Sequence, residues 1–97
     1  MKHFRTYDLA LEFYRQCQAV VTDNTVIKKQ FERASLSVVL NIAEGAGRTT
    51  SKEKANFYSI ALGSLKETRC ILQIQNELQL EQKADKLAEK SFKKKQK

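Results

Sequence analysis

Residues 30–48 read QFERASLSVVLNIAEGAGR. Wound as a helix at about 100° per residue, Gln30, Arg33, Ser37, Asn41, Glu44 and Arg48 fall within about 80° of one another. They form a polar stripe running most of the helix. Ile27, Phe31, Ala34, Val38 and Ile42 line one side of it, and Leu36, Val39, Leu40 and Ala43 the other. A surface helix of a small monomer shows one apolar and one charged face. Apolar flanks on both sides of a polar seam instead predict neighbours on most sides. Such a buried stripe must satisfy its own hydrogen bonds, with Arg33 and Arg48 placed near Glu44 or near carboxylates of other helices.

Working outward, Thr22-Asp23-Asn24-Thr25 supplies a break before this helix, with Asn24 or Thr25 as its N-cap. The short connection makes the preceding helix an antiparallel neighbour. That first helix is expected over residues 5–22, with Tyr7, Ala10, Leu11, Tyr14, Cys17 and Val21 at helical spacing and Phe4 and Phe13 widening the apolar area. The second helix is expected over 26–46, closed by Gly47 as a left-handed C-cap. Thr50, followed three residues later by Glu53, fits a capping box that starts a third helix over about 51–76. There Phe57, Ile60, Ala61, Leu65, Thr68, Ile71 and Leu72 are spaced for burial. Gly63 and Ser64 sit mid-helix and suit close helix–helix approach, and Ser64 and Glu67 fall on the side that meets the polar stripe. A fourth, narrower helix from Leu78 to about Ser91 carries Leu80, Ala84 and Leu87. No Gly or Pro marks a turn near Glu77, so one long third helix is the competing reading.

The totals agree with an all-α chain. Among 97 residues there is no proline and there are only three glycines, while Leu, Ala, Glu, Lys and Gln abound. Residues 1–91 read as a single helical domain with a modest core, and residues 92–97 as a basic, disordered tail. No run of 18 apolar residues offers a membrane span. The start, MKHFRTYDLALEF, has acids inside its apolar part and no small-residue cleavage site, unlike a signal peptide. Cys17 and Cys70 read as a reduced pair, which places the chain in the cytoplasm. The net charge is +7. Its distribution is uneven: residues 1–50 hold seven Lys or Arg and five acids, residues 51–89 six of each, and residues 90–97 five lysines and no acid. Most of the excess is the tail, which adds sequence-independent attraction to phosphates.

Catalytic constellations are poorly represented. His3 is the single histidine and lies at a chain end. There is no C-x-x-C and no H-x-x-x-H, so a metal site lacks ligands, and no cofactor is called for. GAGRTTSK follows a predicted helix rather than a strand and lacks P-loop spacing. Glu44 and Glu67 are a conceivable carboxylate pair, but the arginines of the same stripe favour ion pairing. The residues point away from an enzyme.

Two motifs carry a resemblance. RASLSVVLNIAEGAGR (33–48), followed by FYSIALGSLKET (57–68), joins an NIAEG run to a downstream A-x-G-S-L-x-E. Over about residues 4–76 the chain resembles the small four-helix-bundle proteins encoded in intervening sequences of 23S ribosomal RNA genes. It is also similar to the accessory variability proteins of diversity-generating retroelements. The resemblance implies an up-and-down four-helix bundle, here with a short fourth helix. It also implies self-assembly into a homo-oligomer, typically a pentameric barrel, with the apolar faces of the second and third helices meeting between subunits. Similarity to the retroelement proteins implies binding to RNA and to a protein partner such as a reverse transcriptase.

The residues themselves supply candidate phosphate contacts. Lys28 and Lys29 lie at the start of the second helix. In an up-and-down bundle, the starts of the first and third helices share an end with the close of the second. Lys2, Arg5, Arg48, Lys52 and Lys54 then form one basic rim, to which helix N-termini add attraction for phosphate. The aromatic residues sit mostly at core spacing, which disfavours base stacking and leaves phosphate and shape recognition. The expected function is a non-catalytic, oligomeric nucleic-acid-binding protein, with RNA favoured. The alternative is an oligomeric protein-interaction scaffold whose positive tail is incidental.

Overall fold

The computed structural model describes residues 2–92, and the side chains of residues 5–89. Among these the chain forms four helices: α1 (Lys2–Gln18), α2 (Thr25–Ala46), α3 (Ser51–Ile74) and α4 (Leu78–Phe92). Consecutive helices pack against one another and α1 also packs against α4, while among the described residues no Cα atoms of the diagonal pairs α1/α3 and α2/α4 come within 8 Å. The result is an up-and-down bundle measuring 42 × 21 × 21 Å.

Local chemistry explains each boundary. α1 stops at Gln18, four residues short of the expected end. Val20, Val21 and Thr22 are successive β-branched residues with weak helix preference. The Thr22 hydroxyl then accepts the Asn24 N–H at 3.2 Å, and the Asn24 side chain accepts the N–H groups of Val26 and Ile27 at 3.0 and 3.1 Å. These local bonds compete with continuation of α1 and cap α2. At the other end of α2, Gly47 has φ −87°, so it is not the left-handed cap its residue type led us to expect. Its N–H donates back to Ala43 and Glu44 carbonyls in a tightened last turn. Thr50 caps α3, its hydroxyl accepting the Glu53 N–H at 3.1 Å and donating to the Glu53 carboxylate at 3.2 Å.

The α3/α4 turn separates two helices rather than continuing one. Asn76 takes a left-handed φ of 60°. The Asn76 N–H then donates to the Gln73 carbonyl at 3.1 Å and the Glu77 N–H to the Leu72 carbonyl at 2.9 Å. That pair of bonds is a Schellman closure, with asparagine where glycine is commoner.

The core is built from Ala10, Phe13 and Cys17 of α1, Phe31, Ala34, Val38, Val39 and Ile42 of α2, Ala61, Leu65 and Leu72 of α3, and Ala84 and Leu87 of α4. Each large aliphatic side chain buried here contributes about 1.5–3 kcal/mol. Thr68, also buried, returns its hydroxyl to the Ser64 carbonyl at 2.8 Å. Gly45 lies inside α2 and is buried; a Cβ there would come 2.5 Å from Cε1 of Tyr58. The tyrosine ring occupies the space that the missing side chain leaves.

Several residues expected in the core are outside it. Val21 lies beyond the end of α1 and is 85% exposed. Ile60 is 45% exposed, because it stands seven residues from Glu67 and so shares that residue's face of α3 rather than the face of Ala61 and Leu65. Of the second flank of α2, only Val39 is buried; Leu36, Leu40 and Ala43 face outward from the single chain.

Candidate nucleic-acid interface

The polar stripe of α2 becomes a ladder against α3. Gln30 accepts from Arg33, whose guanidinium is ion-paired with Glu67 of α3. One turn on, the Ser37 and Ser64 hydroxyls share a hydrogen bond of 2.7 Å. Asn41 donates to the carbonyl and hydroxyl of Ser37 at 2.9 and 3.1 Å. Glu44 pairs with Arg48 at 2.6 Å. Within the single chain, Ser37 and Asn41 are half-buried, whereas Gln30, Arg33, Glu44, Arg48 and Glu67 are exposed. The stripe is therefore a satisfied seam along one edge of the α2/α3 contact and not a buried network. α2 presents its polar face obliquely, with one apolar flank inward and the other uncovered.

The cationic candidates fall into two groups. Lys28 and Lys29 are exposed on the first turns of α2, at the end of the bundle shared with the α3/α4 turn. Arg5, Arg48, Lys52 and Lys54 belong to the opposite end, where α1 begins, α2 closes and α3 begins. The side chain of Lys2 lies outside the described residues. The four-residue link 47–50 holds Arg48 close before Lys52, and Thr50 fixes the direction in which α3 leaves.

These four do not form a flat patch. Lys52 and Lys54 are two residues apart on a helix, so they point about 160° away from each other. Lys52 is exposed and Lys54 is half-buried toward the bundle axis. Arg48 is engaged twice, by Glu44 and by the ring of Phe57, whose centroid lies 4.7 Å from its Cζ. An arginine so held is oriented but less available to phosphate. Arg5 stands across the diagonal from α3. Arg5, Arg48, Lys52 and Lys54 thus share the end at which α3 begins, together with the acidic Glu44 and Glu53.

Other chemistry is sparse. Among the described residues there is no group of three or more His, Cys, Asp or Glu side chains able to hold a metal. Burial pushes the Cys17 thiol up to about 12 and also raises the Tyr58 phenol. Both cysteines are free. An open cleft of about 240 Å³ between α1 and α4 has Leu9, Phe13 and Leu87 in its walls, with Glu12, Lys83 and Lys86 at its edges. No described helix is long and apolar enough to cross a membrane.

Sequence reasoning did not find Phe57 beneath Arg48, the 2.7 Å ion pair of Arg69 with Asp85 that ties α3 to α4, or the seat of Tyr58 on Gly45. Only the last had a signal, a glycine inside an otherwise strong helical pattern.

No curated protein and no solved structure matches the chain. A family model does, over residues 4–96, and so through α4 as well as the motif-bearing helices α2 and α3. On that match and this four-helix architecture, the chain belongs to the 23S rRNA-intervening sequence protein family.

Proposed function

We propose that this protein is a non-catalytic, cytoplasmic nucleic-acid-binding module that acts as a homo-oligomer and contacts phosphates through the basic end of its bundle. The observation that carries this reading is the convergence of Arg5, Arg48, Lys52 and Lys54 on the end that also presents the start of α3. Membership of a family named for 23S rRNA intervening sequences supports RNA over DNA. A single chain offers too few cations for tight binding, since Arg48 is already paired. A pentameric ring, as the family resemblance implies, repeats the same end around an axis and sums the field.

A second reading is favoured by a different observation. Leu36, Leu40 and Ile60 lie uncovered on the α2/α3 side, as expected of an oligomeric scaffold that binds protein and not nucleic acid, a reverse transcriptase being one partner the resemblance implies.

Salt separates the two. Fluorescence anisotropy with a labelled RNA hairpin and a random single strand is expected to give affinities that fall steeply with salt. Replacing Lys52 and Lys54 together by Ala, in a variant whose mass in solution is unchanged, is expected to lower the logarithmic salt slope by roughly 0.7–0.9 for each phosphate no longer neutralised. It should also reduce the preference for the hairpin. Parent-like binding by that variant, or binding indifferent to salt, rules out the basic end as the site.

A further inference from the structure

Six aromatic side chains lie among residues 5–89, and five of them serve the core. Phe13 and Phe31 are buried in it, and Tyr7, Tyr14 and Tyr58 pack against it. Phe57 does neither. It is half-buried on α3, and over its ring lies the guanidinium of Arg48, with Cζ 4.7 Å from the centroid. The core spacing that speaks against base stacking holds for the other five and not for this one.

Two contacts fix Arg48 and still leave it open. A guanidinium is planar, and its N–H groups point outward in that plane. The 2.6 Å bond to Glu44 is therefore made at its edge, while Phe57 covers it from beneath. The Arg48 side chain nonetheless keeps 40% of its surface in solvent. An arginine held in this way is a preorganised flat surface, of the kind on which an unstacked base lies. Its charge is already answered by Glu44, which leaves little for a phosphate, but stacking does not depend on excess charge. Lys54 stands three residues before Phe57, about 60° round α3 and about 4.5 Å along it. Among the described residues it has no ion-pair partner.

We infer that Arg48, backed by Phe57, is a stacking site for one unpaired base of an RNA, with Lys54 meeting the adjoining phosphate. A purine is taken ahead of a pyrimidine, because its π-face is larger. The inference rests on the nucleic-acid reading above and names the part of the nucleic acid that this end takes. That part is a base displayed by a loop or a bulge, and not the backbone alone. Single-stranded elements of this kind are where unstacked bases become accessible in RNA, so the site also gives the preference for a hairpin a physical source.

Fluorescence anisotropy across a salt series tests this with two labelled RNA hairpins. One carries a single bulged adenosine, and the other is identical but abasic at the bulge. Phe57→Leu, with parental melting and mass in solution, is expected to bind the adenosine hairpin at least about fivefold more weakly than the parent does. The logarithmic salt slope should not change, since stacking releases no counterions. On the abasic hairpin parent and variant should bind alike, and the parent should bind it at least about fivefold more weakly than the adenosine hairpin. Should Phe57→Leu fail to fold, the comparison of the two hairpins on the parent carries the test, and Phe57→Tyr, which keeps the ring, should bind as the parent does. Equal binding of both hairpins by the parent, parental binding by a folded Phe57→Leu, or a loss equal on both hairpins overturns the stacking site. Salt-dependent binding that still responds to Lys52 and Lys54 then leaves the phosphate reading standing. A parent that binds neither hairpin overturns both.

Discussion

Cys17 sits at 1% exposure between helices, and its thiol is held neutral by burial. Its pKa is raised from 9.0 to about 12. The folded chain therefore keeps a proton that the unfolded chain releases between about pH 9 and 12. The stability this contributes is full below pH 9 and is lost as pH rises through that window. With Cys70 replaced by Ser, Cys17 is expected to resist a thiol reagent at pH 8 while the chain is folded and to react promptly in denaturant; fast labelling of the folded chain would contradict its burial. Gly45 gives a second residue-scale outcome. Gly45→Ala gains about 1 kcal/mol of helix preference but drives a methyl into the Tyr58 ring, and overpacking costs about 1–3 kcal/mol. A net loss of stability is expected in urea denaturation, opposite in sign to the stabilisation expected of Gly63→Ala, where an added Cβ meets nothing within 4 Å. Asn41 and Glu44 read from sequence as buried and critical to packing, with about 1–3 kcal/mol lost on truncation. In the single chain Glu44 is exposed, which lowers the expectation for Glu44→Ala to about 0.5 kcal/mol, the range of an exposed helix pair.

At the scale of the element, the turn between α3 and α4 decides whether the bundle has three helices or four. Asn76 alone takes positive φ among non-glycine residues described, and two backbone bonds close around it. Asparagine tolerates this conformation because its short amide bonds locally; a β-carbon without that option does not. Asn76→Ala is expected to cost about 1 kcal/mol, whereas Asn76→Gly should be neutral or slightly stabilising. Thermal melts of both variants check the sign, and an Ala variant as stable as the parent would remove the turn from the account. The periodicity of α2 and α3 was legible because each buries a broad face over 22 and 24 residues. The end of α1 was not, because its apolar spacing runs on through Val21 while the competing bonds come from Thr22 and Asn24.

For the whole molecule, charge and shape point to different partners at different places. Arg48, Lys52 and Lys54 are placed by the close of α2 and the start of α3, while Lys93, Lys94, Lys95 and Lys97 fall outside the described residues. Deleting residues 92–97 is expected to lower affinity for all nucleic acids alike and to leave the oligomer intact, since a tail attracts any polyanion through counterion release. Replacing Lys52 and Lys54 should instead change discrimination between hairpin and single strand. If the deletion abolishes binding and the double variant does not, the ordered end is not the site.

Spacing, caps and composition were enough to determine an all-helical chain, the extent of α2 and α3 and the family motif they carry, but not the break between α3 and α4. They sufficed because hydrophobic period and capping are local properties, written within a few turns. The serine pair Ser37–Ser64 and the ion pair Arg33–Glu67 were partly legible for the same reason: their azimuths follow from the 3.6-residue period. Period does not say how each helix is rotated against its neighbours. That rotation alone decided that Val39 is covered while Leu36 and Leu40 are not, that Arg48 lies over Phe57, and that Gly45 and not Gly63 is filled from within the chain.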